Sequence, residues 1–299
     1  MYNIINNVFT NISPEQRVCG HEGDRRGIEL MVKRDDLIHT HISGNKWRKL
    51  KYNLLHTVAN DYDTILTFGG AYSNHIYATA CAGNMFNINT IGIIRGDDPD
   101  IENTTLAYAA SQGMKLDFVS REYYKLKNEA RVLKDLAQKY GTFWLIPEGG
   151  CNAEGMKGCQ EMWSEIDTSY YTHVIVPCGT GATMAGLIAA APDAVNVIGI
   201  SVLKGGFMKA AVRNLLNTYF HTQHESWEVI ENYHFGGYAK TNEMLNIFLE
   251  HFHNSNDFKI EHVYSGKMFF AIFEMIKSGY FPEGSRILAI HTGGLRGGG

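Results

Sequence analysis

The stretch THVIVPCGTGATMAGLIAAA, residues 172–191, decides how this chain is read. An apolar run, HVIVPCG (173–179), ends in glycine, and a helix of small residues (182–191) follows at once. A continuous apolar run of this length predicts a strand buried on both faces, as in a parallel sheet. Between strand and helix, Gly179, Thr180, Gly181, Ala182 and Thr183 allow close backbone approach, present the unpaired N–H groups of a helix start and add two hydroxyls. These are the parts of a phosphate cradle. The pattern is not GxGxxG, since the next glycine after Gly181 is Gly186, and it is not GxxxxGK[ST]. Dinucleotide and nucleoside-triphosphate sites are therefore disfavoured.

Outward from this junction the same alternation recurs. Strands are expected at 63–70, 89–96, 115–120, 142–150, 195–202 and 286–294. Helices are expected at 73–86, 101–113, 122–140, 153–166, 207–219, 241–253 and 265–279. Strands alternating with helices predict an α/β fold with mostly parallel sheets covered on both faces. The junctions at 69–73 and 178–183 lie at carboxyl ends of strands, where such sheets bind ligands. No internal repeat occurs, and the one biased tract is a glycine-rich tail, LRGGG (295–299).

Composition sets the outer limits. The 299 residues contain 44% hydrophobic and 19% charged side chains, as ordinary globular proteins do. Lys and Arg number 27 against 31 Asp and Glu, a net charge of −4 that points to no nucleic-acid or membrane partner. Five cysteines without a CxxC, and an N-terminus without a secretory pattern, lead us to expect a cytoplasmic setting. His39 and His41 lack a third ligand at suitable spacing, so no metal is expected.

Against that mildly acidic background, SGNKWRKLKYNLL (43–55) stands out. Ser43 and Asn45 open a helix with Trp47, Leu50 and Leu54 on one face, yet Lys46, Arg48, Lys49 and Lys51 crowd its first turns. Cations there oppose the positive end of the helix dipole, at roughly 0.3–1 kcal/mol each when exposed. Either their stems cover apolar surface or an anion sits nearby. A second glycine-bearing junction, TFGGAYSNHIYATA (67–80), places Ser73 and Asn74 at a helix start whose amides suit a carboxylate. Two anion sites and a lysine at a helix start, without a metal or nucleotide fingerprint, fit pyridoxal 5'-phosphate, which needs a lysine to form an imine, a phosphate cradle and a carboxylate pocket.

Eight motifs in order then carry a resemblance over nearly the whole chain: VKRDDL (32–37), GNKWRKL (44–50), GGAYSN (69–74), IPEGG (146–150), PCGTGAT (177–183), VYSGKM (263–268), GYFPEGSRIL (279–288) and HTGG (291–294). The chain resembles the fold-type II pyridoxal-phosphate enzymes, in the branch of D-cysteine desulfhydrase and 1-aminocyclopropane-1-carboxylate (ACC) deaminase. The resemblance implies two three-layer α/β domains like those of the tryptophan synthase beta family. The large domain would comprise 1–50 and 160–299, the small one 51–159, and the enzyme would be a homodimer acting on a small amino acid.

By the same resemblance Lys46 is the imine-forming lysine, with its pKa lowered by the helix dipole and neighbouring cations whenever it is released. Lys49 is a phosphate contact, and Gly179, Thr180, Gly181, Ala182 and Thr183 form the phosphate loop. Asn74 holds the ring hydroxyl, Ser73 the substrate carboxylate and Thr292 the pyridine nitrogen, while Tyr238 and Tyr264 face the substrate. Ring-opening deaminases carry glutamate after the tyrosine of the V-Y motif and leucine before the final Gly-Gly; here those positions hold Ser265 and Thr292. A hydroxyl beside the nitrogen suffices when a thiol leaves from Cβ, so the resemblance favours β-elimination on D-cysteine. The alternatives are an ACC deaminase or another lyase of this cofactor, and a catalytically silent phosphate-ligand-binding protein. Tyr72 stands where the family often has glutamine.

Overall fold

The computed structural model describes residues 1–9, 12–98, 100–220, 222 and 224–294. The tail 295–299 lies outside them. Helix α1 (Tyr2–Asn7) is followed by β1 (Glu15–Arg17), β2 (Glu29–Lys33) and helix α2 (Asn45–Ala59). Then β3 (Thr64–Gly70), α3 (Asn74–Met85), β4 (Asn89–Arg95), α4 (Thr104–Ser111) and β5 (Lys115–Val119) alternate. Next come α5 (Arg121–Lys125), α6 (Ala130–Tyr140), β6 (Trp144–Ile146) and α7 (Ala153–Gln160). The rest is β7 (His173–Cys178), α8 (Ala182–Ala189), β8 (Asn196–Ser201), α9 (Met208–Tyr219), β9 (Trp227–Ile230), α10 (Glu243–Ser255), α11 (Ser265–Lys277) and β10 (Arg286–Ile290).

The chain forms two compact units. One gathers the described residues of 1–10, 39–42 and 46–155, the other those of 11–38, 43–45 and 156–299. The first unit holds a four-stranded, all-parallel sheet in the order β5-β4-β3-β6. Leu66, Phe68, Ile91 and Ile93 point to one face, against Tyr124 of α5 and Val132 and Leu136 of α6. On the other face Ile94 meets Ile76 and Ala80 of α3 and Leu106 and Ala109 of α4. Both faces are covered, which is why these strands read as unbroken apolar runs.

The second unit holds a six-stranded sheet in the order β1-β2-β10-β7-β8-β9, parallel except for the antiparallel edge strand β1. One face carries Leu30, Val32, Ile175, Ile198 and Ile287 against Phe252 of α10 and Phe269, Ile272 and Ile276 of α11. On the other, α8 approaches so closely that a Cβ on Gly199 would lie 2.3 Å from Met184 Sδ. The small-residue composition of α8 permits this approach.

Four expected elements differ, one of them the strand expected over 286–294, which ends at Ile290. The helix expected over 122–140 is two, α5 and α6. In one straight helix Tyr124 and Leu136 would sit about 120° apart around the axis; the break lets both reach the same sheet face. The strand expected over 142–150 stops at Ile146, because Pro147 has no N–H to give and Gly149 and Gly150 both take φ +68°. The helix expected over 153–166 ends at Gln160 and tightens into a 3-10 turn, Glu161–Glu165. Strands β1, β2 and β9 and helix α1 were not anticipated.

Candidate active site

In each sheet the loops that carry candidate residues leave the carboxyl ends of strands where the strand order reverses, the position at which open α/β sheets bind ligands. In the second unit the chain runs outward from β7 through β8 to β9, while β10 returns between β2 and β7. The segment after β2 leads to Gly44 and Asn45, the loop after β10 carries Thr292, and the loop after β7 is Gly179–Thr183. Tyr238 follows β9, and Tyr264 caps the start of α11.

The second unit draws these residues together. Asn45 donates from Nδ2 to Thr183 Oγ1 at 3.0 Å, and from its backbone N–H to Thr292 O at 3.3 Å. Since Thr183 Oγ1 accepts from Asn45, its own hydrogen is left to donate. Gly181 starts α8 at φ +81°, and a Cβ there would lie 3.0 Å from Val212 Cγ2. A Cβ on Gly179 would lie 3.0 Å from Tyr264 Cε1 and 3.3 Å from its hydroxyl, so the phenol edge rests on the glycine loop. The Tyr238 ring lies 6.0 Å from that of Tyr264 at 72°. Thr180 Oγ1 is 3.5 Å from Ala182 N. Thr183 and Met184 N–H groups find no protein acceptor among the described residues, as expected of the first turn of a helix.

The first unit gathers the others. Chain order in its sheet reverses between β3 and β6. The loop after β3 leads to Ser73 and Asn74, and the loop after β6 is Pro147–Gly150. Ser73 caps α3, its Oγ accepting from His75 N and Ile76 N at 3.2 and 3.3 Å. Two of the amides that looked open beside Ser73 in the sequence are thus already paired with its own side chain. Arg48 and Lys49 are buried, so the basic cluster is no solvated face. Lys49 Nζ donates to Gly149 O at 3.0 Å. Lys46, which follows Asn45 directly, stands with Lys49 close enough to His75 to oppose its protonation. Tyr72 is 68% exposed. His39 Nδ1 accepts from His41 N and Ile42 N, and His41 Nδ1 meets the Tyr77 hydroxyl at 2.8 Å.

His75, the residue after Asn74, carries no distinctive local signal in the sequence. It is buried, with Nε2 2.9 Å from Thr67 Oγ1 and Nδ1 without a hydrogen-bond partner among the described residues. Burial, then Lys46 and Lys49, lower its pKa from 6.5 to about 3. The folded protein therefore holds it neutral while the unfolded chain protonates it below pH 6.5. Its contribution to stability is full above pH 6.5 and is lost as pH falls from there toward 3. At pH 5 the loss reaches about 2 kcal/mol. Urea unfolding midpoints at pH 7 and 5 should differ less in H75Q than in the unaltered protein; equal differences would refute the assignment.

With this geometry in view, the family's sequence model, "Pyridoxal-phosphate dependent enzyme", matches residues 19–293. The chain belongs to the pyridoxal-phosphate-dependent enzyme family. This pyridoxal-phosphate enzyme is 33% identical over 298 residues to the bifunctional, mitochondrial D-cysteine desulfhydrase/ACC deaminase of Arabidopsis thaliana, covering 91% of the chain and 73% of that protein. It is 26% identical over 296 residues to a D-cysteine desulfhydrase of Klebsiella pneumoniae, covering 91% and 88%. Among solved structures, a crystal structure of an ACC deaminase homologue superposes with a TM-score of 0.83 at 24% identity, covering 97% of this chain and 92% of the other. The fold is thus that of the type II pyridoxal-phosphate enzymes, and the activity is that of a lyase or deaminase of this cofactor.

The enzyme's own residues fit the cofactor. The bare first turn of α8 behind two close-packed glycines suits a phosphate monoester, and the orphaned, buried Nδ1 of His75 sits in the lysine-bearing unit. Among the described residues no group of three or more His, Cys, Asp or Glu is placed to hold a metal, and no helix is long and apolar enough to cross a membrane.

Proposed function

We propose that this enzyme eliminates a leaving group from Cβ of a small amino acid, converting D-cysteine and water to pyruvate, hydrogen sulfide and ammonia. Bound pyridoxal phosphate supplies the electron sink that makes Cα–H acidic. Lys46 carries the cofactor, Gly179–Thr183 and Lys49 hold its phosphate, Asn74 its ring hydroxyl and Thr292 its ring nitrogen. Ser73 receives the substrate carboxylate. The Lys46 amine, or a tyrosine on the opposite face for a D-configured substrate, takes the Cα proton. A phenol of the pair Tyr238 and Tyr264 gives a proton to sulfur as the Cβ–S bond breaks. Released 2-aminoacrylate hydrolyses to pyruvate and ammonia.

The observation that carries this reading is the tyrosine pair, one phenol edge against Gly179 and the other ring 6.0 Å away. Where ring-opening deaminases carry glutamate, Ser265 is instead buried and bonded to Glu261, its Oγ 3.1 Å from Oε1. Five cysteines without a CxxC support a reduced, cytoplasmic setting, and the motif resemblance supports a homodimer. Assays of D-cysteine, L-cysteine and ACC in parallel test the substrate. Pyruvate and sulfide from D-cysteine are expected. Faster 2-oxobutanoate formation from ACC would overturn the desulfhydrase reading in favour of a deaminase, an activity that the Arabidopsis relative's name also includes.

A further inference from the structure

Tyr238 sits in a segment without helix or strand, residues 231–242, and its neighbours are held in costly conformations. Phe235 and Ala239 take φ +52° and +54°, while Gly236 and Gly237 take +94° and +121°. Non-glycine residues adopt such angles only where their surroundings enforce them. Local bonds contribute, with His234 Nδ1 accepting from Gly236 N at 2.9 Å and His234 O from Gly237 N at 3.0 Å. The further constraint is a lysine. Lys267, in the first turn of α11, is fully buried, and its Nζ donates to His234 O at 2.9 Å and to Gly237 O at 2.6 Å. Gly237 immediately precedes Tyr238.

The start of the same helix fixes the backbone that bears the other phenol. Glu261 accepts from the backbone N–H groups of Tyr264 and Ser265 at 2.9 and 2.8 Å. A buried ammonium is costly, and burial lowers the Lys267 pKa to about 8 although Glu261 raises it. A hydrocarbon side chain would fill the space without that cost but would remove the charged donor from both carbonyls, leaving each with one backbone N–H, Gly237 N on His234 O and Lys240 N on Gly237 O. Bonds from a charged donor are roughly twice as strong as neutral ones.

We propose that Lys267 is the positioning residue of the tyrosine pair: by gripping the His234 and Gly237 carbonyls, it holds the Tyr238 phenol beside Tyr264. This rests on the reading that Tyr238 handles a substrate proton. It is tested on the holoenzyme with K267M, K267Q, Y238F and the double variant K267M/Y238F.

In K267M, amide exchange across residues 235–239 should quicken by at least ~10-fold while α8 and β7 keep their protection. Its visible cofactor absorbance should be unchanged, and kcat should fall about 10- to 100-fold with KM within a few-fold. K267Q, which retains N–H donors, should recover part of kcat, and K267M/Y238F should be no slower than Y238F. Unchanged exchange in the loop, or a K267M penalty that persists in full on the Y238F background, overturns the proposal. A wild-type kcat in Y238F defeats the role given to Tyr238 and with it the catalytic half of this inference; loop exchange then still decides whether Lys267 holds the segment. If K267M fails to fold, K267Q should show intermediate exchange and kcat, and wild-type values for both would overturn the grip.

Discussion

Replacing Lys46 by alanine should remove the visible absorbance of the lysine-bound cofactor and lower turnover by at least ~10³-fold, since both attachment and a proton acceptor at Cα are lost. The protein should stay folded, because α2 keeps Trp47, Leu50 and Leu54 in the core and alanine favours the helix. Spectra and single-turnover assays of purified K46A measure the effect. A variant that keeps both colour and turnover would show that the imine forms elsewhere. Added primary amines should restore a fraction of the rate if the missing group is the base.

The second large effect is expected at a residue that touches no substrate. Gly44 has φ +65°, and a Cβ there would lie 2.0 Å from Thr292 O and 2.2 Å from its carbonyl carbon. Neither atom is the end of a flexible side chain, so G44A must push apart the segments after β2 and β10. The same movement breaks the Asn45 N–H bond to Thr292 O. A loss of about 3–5 kcal/mol in unfolding free energy is expected, at the upper end for single substitutions. Any folded fraction should bind cofactor more weakly, because Asn45 also holds Thr183. Chemical denaturation with and without pyridoxal phosphate measures both effects; a loss under 1 kcal/mol would mean that the two backbones part easily.

The central strands and the loop after β7 were legible because a doubly covered strand must be apolar throughout, and a glycine-led helix start has few other uses. The edges were not. β1 has three residues with one partly buried, and β9 is only partly buried after Trp227, so neither prints a pattern that a loop could not share. β2 is legible in principle, since Leu30 and Val32 alternate with the more exposed Met31, but its five residues run straight into the charged motif VKRDDL, which blurs the alternation.

At the candidate site, motif order nominated the residues, yet what holds them is non-local. Asn45 reads as a helix-start residue and turns out to brace Thr183, 138 positions away in sequence. Lys267 reads as one more charge on an amphipathic helix, and only the fold buries it under carbonyls 30 and 33 residues upstream. Nothing local to His75 announces that the two cations acting on it would both come from α2.

The insertion of β10 between β2 and β7 also bears on how the molecule is made. The first unit's sheet uses strands from residues 64 to 146, all available early in synthesis. In the second unit β2 and β7 have no shared neighbour until residues 286–290 leave the ribosome. Until then their facing edges carry unpaired N–H and C=O groups of the kind that recruit foreign strands. Closing such distant pairings is slow, so a nascent chain is most exposed to aggregation during the interval before its last strand arrives.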